Sequence, residues 1–533
     1  MEKRLIIAMA LSLLVLVVFQ RMKPVQPVDV GTIAAVEGNK QELLTGSFAE
    51  TTETEERQDF PSVQENLTEV QTDTHTFIFS DRGGALKKIL LKKYTENNKS
   101  LVLLDLTQSA SGLFSLKSNR AKGLDNKKYE LILNNNIIQY KLVIENNIEI
   151  TKTYNFQKEA EVITAVIETK NISSHSTGSD YTMIGPCSLE QSGQIVGRSF
   201  LEADALIDGK VWKVKALKQA QEKTGYITGV ATKNRYFALI LKPLTIPVAV
   251  RINPTLGKGL ETEIKRQGEE IRPGETTVDE YLLYAGALDE KKITEISPDL
   301  AQIVEYGFFG GVSKVLLSVL RVFYRGTKNW GLAVIFLTIL MNLVLFPLTI
   351  KSFSSMHKMK QVQPHMQRLK ELHKDNPHKL NKEMMELYKK YNVNPVGGCL
   401  PLILQMPIFI ALYQALIRSV ELKGAAFLWI HDLATPDAVG LPFSLPVFGD
   451  HVNILPLLMV GVMVLQQKVS QRNLAGTTTE EQASQQKMMM LFMPLFFGFI
   501  FYKMPSGLVL YWLTNTILMT IEHGFLSKRM EQE

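Results

Sequence analysis

A chain of 533 residues is too long for a single hydrophobic core and calls for two or more domains. Its composition is close to average, 45% hydrophobic and 21% charged, but the apolar residues bunch toward the C-terminal end, which excludes a wholly soluble protein. A net charge of +6 and a pI near 8.9 would suit a nucleic-acid partner, yet the basic residues fall between apolar segments and not on one soluble face, so no nucleic-acid binding is expected.

The N-terminus, MEKRLIIAMALSLLVLVVFQRMKP, places Lys3 and Arg4 ahead of an apolar run from Leu5 to Phe19 that is short for a spanning helix. A secretory signal peptide has the same outline. No small-x-small cleavage site follows the run, however, and Gln20, Arg21, Met22 and Lys23 come instead. Residues 1–23 are therefore expected to form an uncleaved transmembrane anchor that starts in the cytoplasm. Residues 24–70, with Pro24, Pro27 and AETTETEERQ, read as a flexible linker. From about Thr72 come β-rich runs such as THTFIFS, KKILLKKY, YELILN, IIQYKLVI, EITKTYNF, EVITAVIE, RYFALILK and VDEYLLYAG, separated by Asn-Asn, Gly-Gly and Asn-Lys turns. This spacing predicts an external antiparallel β-sandwich over residues 71–292. It carries no paired carboxylates with polar neighbours, no His cluster and no nucleophile motif, and His75 and His175 stand alone. A spacer, partner-docking or chaperone-like surface suits it better than catalysis.

Ser297-Pro298 reads as a helix start, with the hydroxyl as N-cap and proline at the first helical position. In VSKVLLSVLRVFYRGTKNW, Val315, Leu316, Val319, Leu320, Val322 and Phe323 fall broadly on one side and Lys314, Ser318, Arg321 and Arg325 toward the other. Residues 297–326 are thus expected to form an amphipathic helix lying in the membrane interface, with a packing helix of the external domain as the alternative. Five apolar segments follow: Trp330 to Ile350, Leu400 to Val420, Ile454 to Leu465 with flanks, Met488 to Tyr502, and Leu508 to Thr520. The loop Lys351 to Gly398 holds ten Lys or Arg against four Asp or Glu, whereas Glu421 to Asn453 has only Lys423 against Glu421, Asp432, Asp437 and Asp450. The positive-inside rule puts the first loop in the cytoplasm and the second outside. Lys468, Arg472 and Lys487 mark a further cytoplasmic loop, and Lys528 and Arg529 a cytoplasmic C-terminus. The anchor plus a five-span core at 327–527 and a short tail at 528–533 satisfy every loop, with the β-domain outside. Cys187 then lies outside and Cys399 at the cytoplasmic mouth of a span, so no disulfide is expected.

In the basic loop, Asp375-Asn376-Pro377 is a turn signal with helical periodicity on both sides, which predicts a helical hairpin over 352–394. Met356, Met359, Met366, Met384 and Met385 supply much of its apolar content; they could greet varied hydrophobic clients or simply glue the two helices together. His357, His365 and His373 recur at a spacing that could make a stripe, but metal ligation would need carboxylate or Cys help in a tighter set.

Polar side chains inside the spans are costly unless paired, and so are functional candidates. Thr338 and Asn342, four apart, share a helix face within FLTILMNLVLFP; Gln405 lies between Pro401 and Pro407; Gln466 and Gln467 end the next span; and Thr514, Asn515 and Thr516 sit in the last. They could line one hydrated cavity or tie helices together. The short third and fourth segments suggest a locally thin bilayer.

The motifs VEYGFF (304–309), NWGLAVI (329–335), FPLTIKS (346–352), EMMELYKKYNVNPVGGCLPLILQMPIFIALYQ (383–414), FLWIHDL (427–433) and MPLFFGFIFYKMPSGLVLYWLTN (493–515) resemble the YidC family of membrane protein insertases, in the Gram-negative form with a large periplasmic domain. The resemblance implies a multi-domain membrane protein: an N-terminal anchor helix, an all-β periplasmic sandwich (a β-supersandwich), and an α-helical five-span insertase core. It implies an inner-membrane insertase and chaperone that needs no cofactor or covalent chemistry. Such proteins receive nascent membrane proteins from the ribosome or the Sec translocon and release them into lipid through a hydrophilic groove. By position, Thr338, Asn342, Gln405, Gln467 and Asn515 would line that groove. Tyr511 and Trp512 would touch clients, although both also suit packing or the interface.

Two departures stand out. Family members commonly carry an arginine in the middle of the first core span, where this chain has Asn342; and the tail SKRMEQE lacks a long basic extension, which leaves the ribosome a weak partner. A solute transporter or channel is the competing reading, since polar residues in several spans serve that role too; it predicts inverted repeats, which the sequence does not display. A polytopic enzyme would need a reactive set. The sequence offers no His-Glu-x-x-His pattern and no paired intramembrane aspartates, and Glu522-His523 is the nearest approach.

Overall fold

The computed structural model describes residues 65–530 apart from 97–98, 119–122, 135–136, 146, 157–160, 191–200, 246, 256–258, 374–375, 394–399, 446–448 and 473–479. The expected anchor, Cys399, and the side chains of Met356 and His357 lie outside the described residues. The linker ends earlier than its composition suggests, because Leu67–Gln71 is a strand paired antiparallel with His75–Ser80. LTEVQ forms a half-exposed strand of mostly polar residues, so it shows no apolar run.

The β-domain holds three main sheets, all with antiparallel pairs. The largest has nine strands in the order Lys210–Val214, Glu202–Ile207, Ile227–Lys233, Phe237–Pro243, Thr276–Ala287, Val162–Asn171, Ile148–Phe156, Ile137–Ile144 and Glu130–Asn134. A five-stranded sheet centred on Leu260–Arg266 and a four-stranded sheet over residues 67–105 complete it. VITAVIETKN alternates half-buried and buried positions, the period-two pattern of a strand with one covered face. FALILKP is buried almost throughout because both of its faces are covered. Phe237, Leu239 and Leu241 point into the main core, whereas Ala238 and Ile240 pack with Ile293, Leu300 and Ile303 of a strap that follows the last strand.

That strap consists of helix α1 (Glu290–Ile296), N-capped by the Asp289 side chain, and a 3-10 turn (Pro298–Ile303). Leu300 and Ile303, three apart, fall on one side of a three-residue turn and so both reach the sheet. Gly229 leaves room for them, since a Cβ there would lie 2.4 Å from Leu300 Cδ2. The strap corrects the expected lead-in: residues 297–326 are two pieces, and the Ser297 hydroxyl does not cap but accepts from Lys242 Nζ at 2.8 Å. Lys233 Nζ, buried beside Asp204 (2.5 Å) and Glu202 (3.3 Å), also donates to Ile303 O at 2.8 Å. Gly307, at φ +73°, then turns the chain into helix α2 (Gly310–Thr327).

Helix α2 divides into three stripes. Ser313, Leu316, Leu317 and Leu320 are buried, Arg321 and Lys314 reach Glu421 and Glu290, and Val312, Val315 and Val322 remain exposed. The sequence pattern merged the two apolar stripes into one. Lys328 at φ +54° ends α2, and the Asn329 side chain caps helix α3 (Trp330–Leu372) at once. Helices α4 (Pro377–Lys390), α5 (Leu400–Arg418), α6 (Ile454–Arg472), α7 (Glu480–Phe501) and α8 (Ser506–Met530) follow. The hairpin's first arm is a continuation of α3, not a separate helix starting near 352; Pro347 and Pro364 lie inside it without ending it. Among the described residues, Trp330–Ser355 is long and apolar enough to cross a membrane, and Ile454–Val469 and Leu491–Phe501 are shorter apolar stretches. Helix α8 packs against α6 and α3, and α2 against α3 and α5.

One buried charge should make the stability of the β-domain depend on pH. Lys152 Nζ donates to Gly83 O (2.6 Å) and Phe114 O (2.7 Å) and faces the Tyr129 ring at 4.9 Å. Burial, countered in part by the charge of Asp125, pushes its ammonium from 10.5 down to about 7. Between those values the unfolded chain binds the proton more readily than the folded one, so stability should rise with pH, by up to about 1.4 kcal/mol per unit. Lys152→Met should flatten that slope in thermal melts taken from pH 7 to 9.5.

Candidate functional site

The polar residues within the helical bundle converge on α8. Asn342 Nδ2 on α3 donates to Asn515 Oδ1 on α8 at 2.9 Å and to Thr338 O at 2.9 Å. One helical turn earlier on α8, the Tyr511 hydroxyl accepts from Gln405 Nε2 of α5. Residues 511 and 515 share a face, so two different helices are tied to adjacent rungs of one helix. Thr338 is fully buried and donates to Val334 O at 2.7 Å, and Asn515 Nδ2 lies 3.6 Å from Met519 Sδ. Gln467 is half-buried on α6 and takes part in neither tie.

Tyr511 is fully buried, so of the roles left open for it this structure displays packing: its ring fills the bundle and its hydroxyl is a rung. Trp512 is half-buried in an aromatic cluster, 4.9 Å from Phe409, 5.5 Å from Phe497 and 5.2 Å from Phe501 between ring centres. This cluster gathers rings from α5, α7 and α8. Sequence reasoning passed over it because each phenylalanine taken alone looks like ordinary apolar filling.

In the hairpin, α4 folds back on the end of α3. His365 stacks on Tyr391 and its Nε2 lies 3.1 Å from the Tyr391 hydroxyl; His373 Nε2 lies 2.8 Å from Glu383 Oε2; the Tyr388 hydroxyl reaches Met366 Sδ at 3.9 Å. Two of the three periodic histidines therefore clasp the hairpin. Met359, Met366 and Met384 are half-buried, while Met385 is exposed. No group of three or more metal-ligating side chains occurs among the described residues.

The other end of the bundle is closed by a loop spanning residues 419–438. Ser506 N donates to Thr435 O (2.8 Å) and Gly507 N to Leu433 O (2.9 Å), which fixes the loop to the start of α8. Phe427 fills the space beside Gly331, where a Cβ would lie 2.2 Å from its ring. Arg235 reaches across from the β-domain: its guanidinium, over the Tyr236 ring, donates to Ile417 O (2.5 Å) at the end of α5 and to Ala434 O (3.1 Å) in the loop. Beside it, Glu305 pairs with Lys213, and its carbonyl accepts from Arg418 at 2.9 Å.

Residues 67–319 match the YidC periplasmic domain family, and residues 322–533 match the 60Kd inner membrane protein family. A membrane protein insertase YidC from Geobacter sp. (strain M21) is 32% identical over 494 residues, covering 87% of this chain and 85% of that protein. Another from Pelobacter propionicus is 32% identical over 568 residues, covering 99% of each. The chain belongs to the YidC family of membrane protein insertases. Its inner-membrane setting and β-rich domain joined to a helical core are those of the family. A crystal structure of an active YidC insertase with its first transmembrane domain resolved is 18% identical over 86% of this chain and 92% of that one, with a TM-score of 0.36. A putative aldose 1-epimerase from Escherichia coli K12 is 9% identical over 42% of this chain and 99% of that one, with a TM-score of 0.34. At those scores neither structural likeness carries weight. In this chain Asn342 is neutral and engages Asn515 directly.

Proposed function

We propose that the chain moves hydrophobic segments of newly made proteins into the inner membrane by letting them slide laterally along the face where α3, α5 and α8 meet, without covalent chemistry. The observation that carries this reading is the pair of polar rungs, Asn342–Asn515 and Gln405–Tyr511, set within apolar helices. In hydrocarbon these groups satisfy one another because nothing else is available. A client's hydrophilic flank offers substitute partners, so the rungs part, water follows, and a polar groove opens. The apolar segments Ile454 to Leu465 with its flanks and Met488 to Tyr502 are short for spanning helices, the second about 22 Å long as a helix. A hydrocarbon layer of about 30 Å is expected to thin beside them.

The charge pattern of the loops supports the rest of the topology. Residues 1–23 anchor the chain, the β-domain is periplasmic, five spans lie within 327–527, the hairpin at 352–394 is the cytoplasmic entrance, and both termini are cytoplasmic. The partners in this reading are nascent membrane proteins, membrane lipids, the Sec translocon alongside the β-domain and, through the short tail at 528–533, weakly the ribosome. Exposed Met385 is the hairpin methionine most available to clients; Trp512, with part of its ring uncovered, is the candidate contact within the bundle.

Depletion of the protein should stall insertion of small single- and double-span proteins, and photo-crosslinkers at position 342 or 512 should capture nascent chains. Normal insertion with no crosslinks would sink the reading. Asn342→Arg should be tolerated, since a guanidinium can also donate to Asn515 Oδ1. It should shift preference toward acidic clients, read by reconstituting one acidic-tailed and one neutral-tailed client in parallel.

A further inference from the structure

The external loop carries an apolar tip that no part of the groove reading uses. Leu428 is 75% exposed and Trp429 37% exposed, side by side at the end of a tight turn. The turn is closed by reciprocal bonds, Phe427 N to Ile430 O at 2.8 Å and Ile430 N to Phe427 O at 2.9 Å. Leu428 itself sits at φ +53°, a left-handed conformation disfavoured for a branched side chain. A glycine or asparagine would suit the backbone better, so what leucine adds at this position is the side chain it projects.

The tip is rigidly coupled to the bundle. Trp429 Nε1 donates to Asp437 Oδ2 at 3.2 Å, and the same oxygen accepts from Leu455 N at 2.8 Å in the first turn of α6. Phe427, next to the tip, packs on Gly331 in the first turn of α3, and the loop is bonded to the start of α8. Three helices therefore start from the element that holds the exposed pair. Down α3, Leu332, Phe336, Ile339, Leu343 and Val344 are all exposed, a surface of lipid-facing character. An indole whose N–H is already bonded, beside an aliphatic side chain at the end of a spanning helix, has the chemistry of an interface anchor.

We propose that the Leu428–Trp429 turn is a lipid-binding wedge, seated in the headgroup boundary of the outer leaflet, that sets the depth of the bundle in the membrane. From Gly331, at the level of the wedge, to Asn342 is eleven residues of α3, about 16 Å of helix. A wedge at the boundary of a layer about 30 Å thick therefore holds the Asn342–Asn515 rung at mid-membrane. The proposal rests on the external placement of this loop, and the experiment is arranged to fail differently if that placement is wrong.

The full chain carrying Cys187→Ala, Cys399→Ala and Leu428→Cys is labelled with an environment-sensitive dye and reconstituted in vesicles of zwitterionic and anionic phospholipid. Lys210→Cys in the β-domain is the solvent reference. The dye at 428 should be quenched by lipids spin-labelled near the headgroup and largely spared by aqueous iodide, which should quench at 210. Iodide quenching equal to that at 210 overturns the wedge. So does quenching by neither agent, which would mean that protein covers the tip. In whole cells, failure of an impermeant thiol reagent to reach 210 would overturn the topology and the wedge together. Leu428→Gly relieves the backbone and should leave thermal stability unchanged or raised while slowing insertion by about threefold or more, the loss expected of an interface anchor. Leu428→Phe should insert normally. Full activity of the glycine variant overturns the proposal.

Discussion

Replacing Asn515 with leucine is expected to lower thermal stability by about 1 kcal/mol, and adding Asn342→Leu is expected to restore that stability while insertion stays impaired. The single change removes the acceptor for one N–H of Asn342, whose other recorded bond, to Thr338 O, survives. The cost should therefore sit at the low end for a polar group stranded in hydrocarbon. The reverse single change, Asn342→Leu, leaves Asn515 Oδ1 without that donor and should cost a similar amount. With both amides gone, two leucines can pack across α3 and α8 and no polar group remains to satisfy. If the rung were only glue, the double variant would insert clients as the native chain does. If the rung is the seed of a groove, the double variant should be as stable as the native chain yet slower in insertion by about tenfold, a barrier increase of about 1.4 kcal/mol. Melting in lipid nanodiscs read beside insertion of a two-span client separates the two outcomes.

The polar residues that make the rungs were legible in the sequence because an amide inside an apolar run is conspicuous, but their pairing was not. Asn342 and Asn515 are 173 positions apart, and nothing in either span states which face meets which. The β-runs were equally plain, since period-two alternation survives in VITAVIETKN and a continuous apolar run marks FALILKP. What hid the strap was its small size: Leu300 and Ile303 are two apolar residues in a short 3-10 turn, too few to give a period. The two apolar stripes of α2 merged for a related reason. A hydrophobic pattern reports what avoids water and cannot distinguish the stripe that meets α3 and α5 from the one left for lipid. For Tyr511 the sequence left client contact, packing and the interface open, because nothing in LVLYW states that its hydroxyl meets Gln405 of another helix inside the bundle.

Arg235 was read only as the first residue of a strand, yet its replacement is the change expected to reach furthest. Arg235→Ala should cost about 3 kcal/mol, because a buried cation's partners are left stranded. Among those partners are Ile417 O, at the negative end of the α5 dipole, and Ala434 O in the loop that closes that end of the bundle. Both carbonyls are held in buried residues, so water cannot readily replace the guanidinium. Arg235→Lys should recover only part of the loss, since an ammonium is a point donor and cannot span two carbonyls with a planar fork. Other charged ties between the strap side and the helices, Lys314–Glu290, Arg321–Asp289 and Arg418–Glu305, involve partly exposed side chains and should contribute less than about 1 kcal/mol each. The alanine variant should therefore loosen the junction between the strap and α2 selectively, exposing the chain around Gly307 and Gly310 to protease before the β-sandwich unfolds. A variant that melts within about 1 kcal/mol of the native chain and resists protease there would show that apolar packing, not this arginine, fastens the β-domain to the bundle.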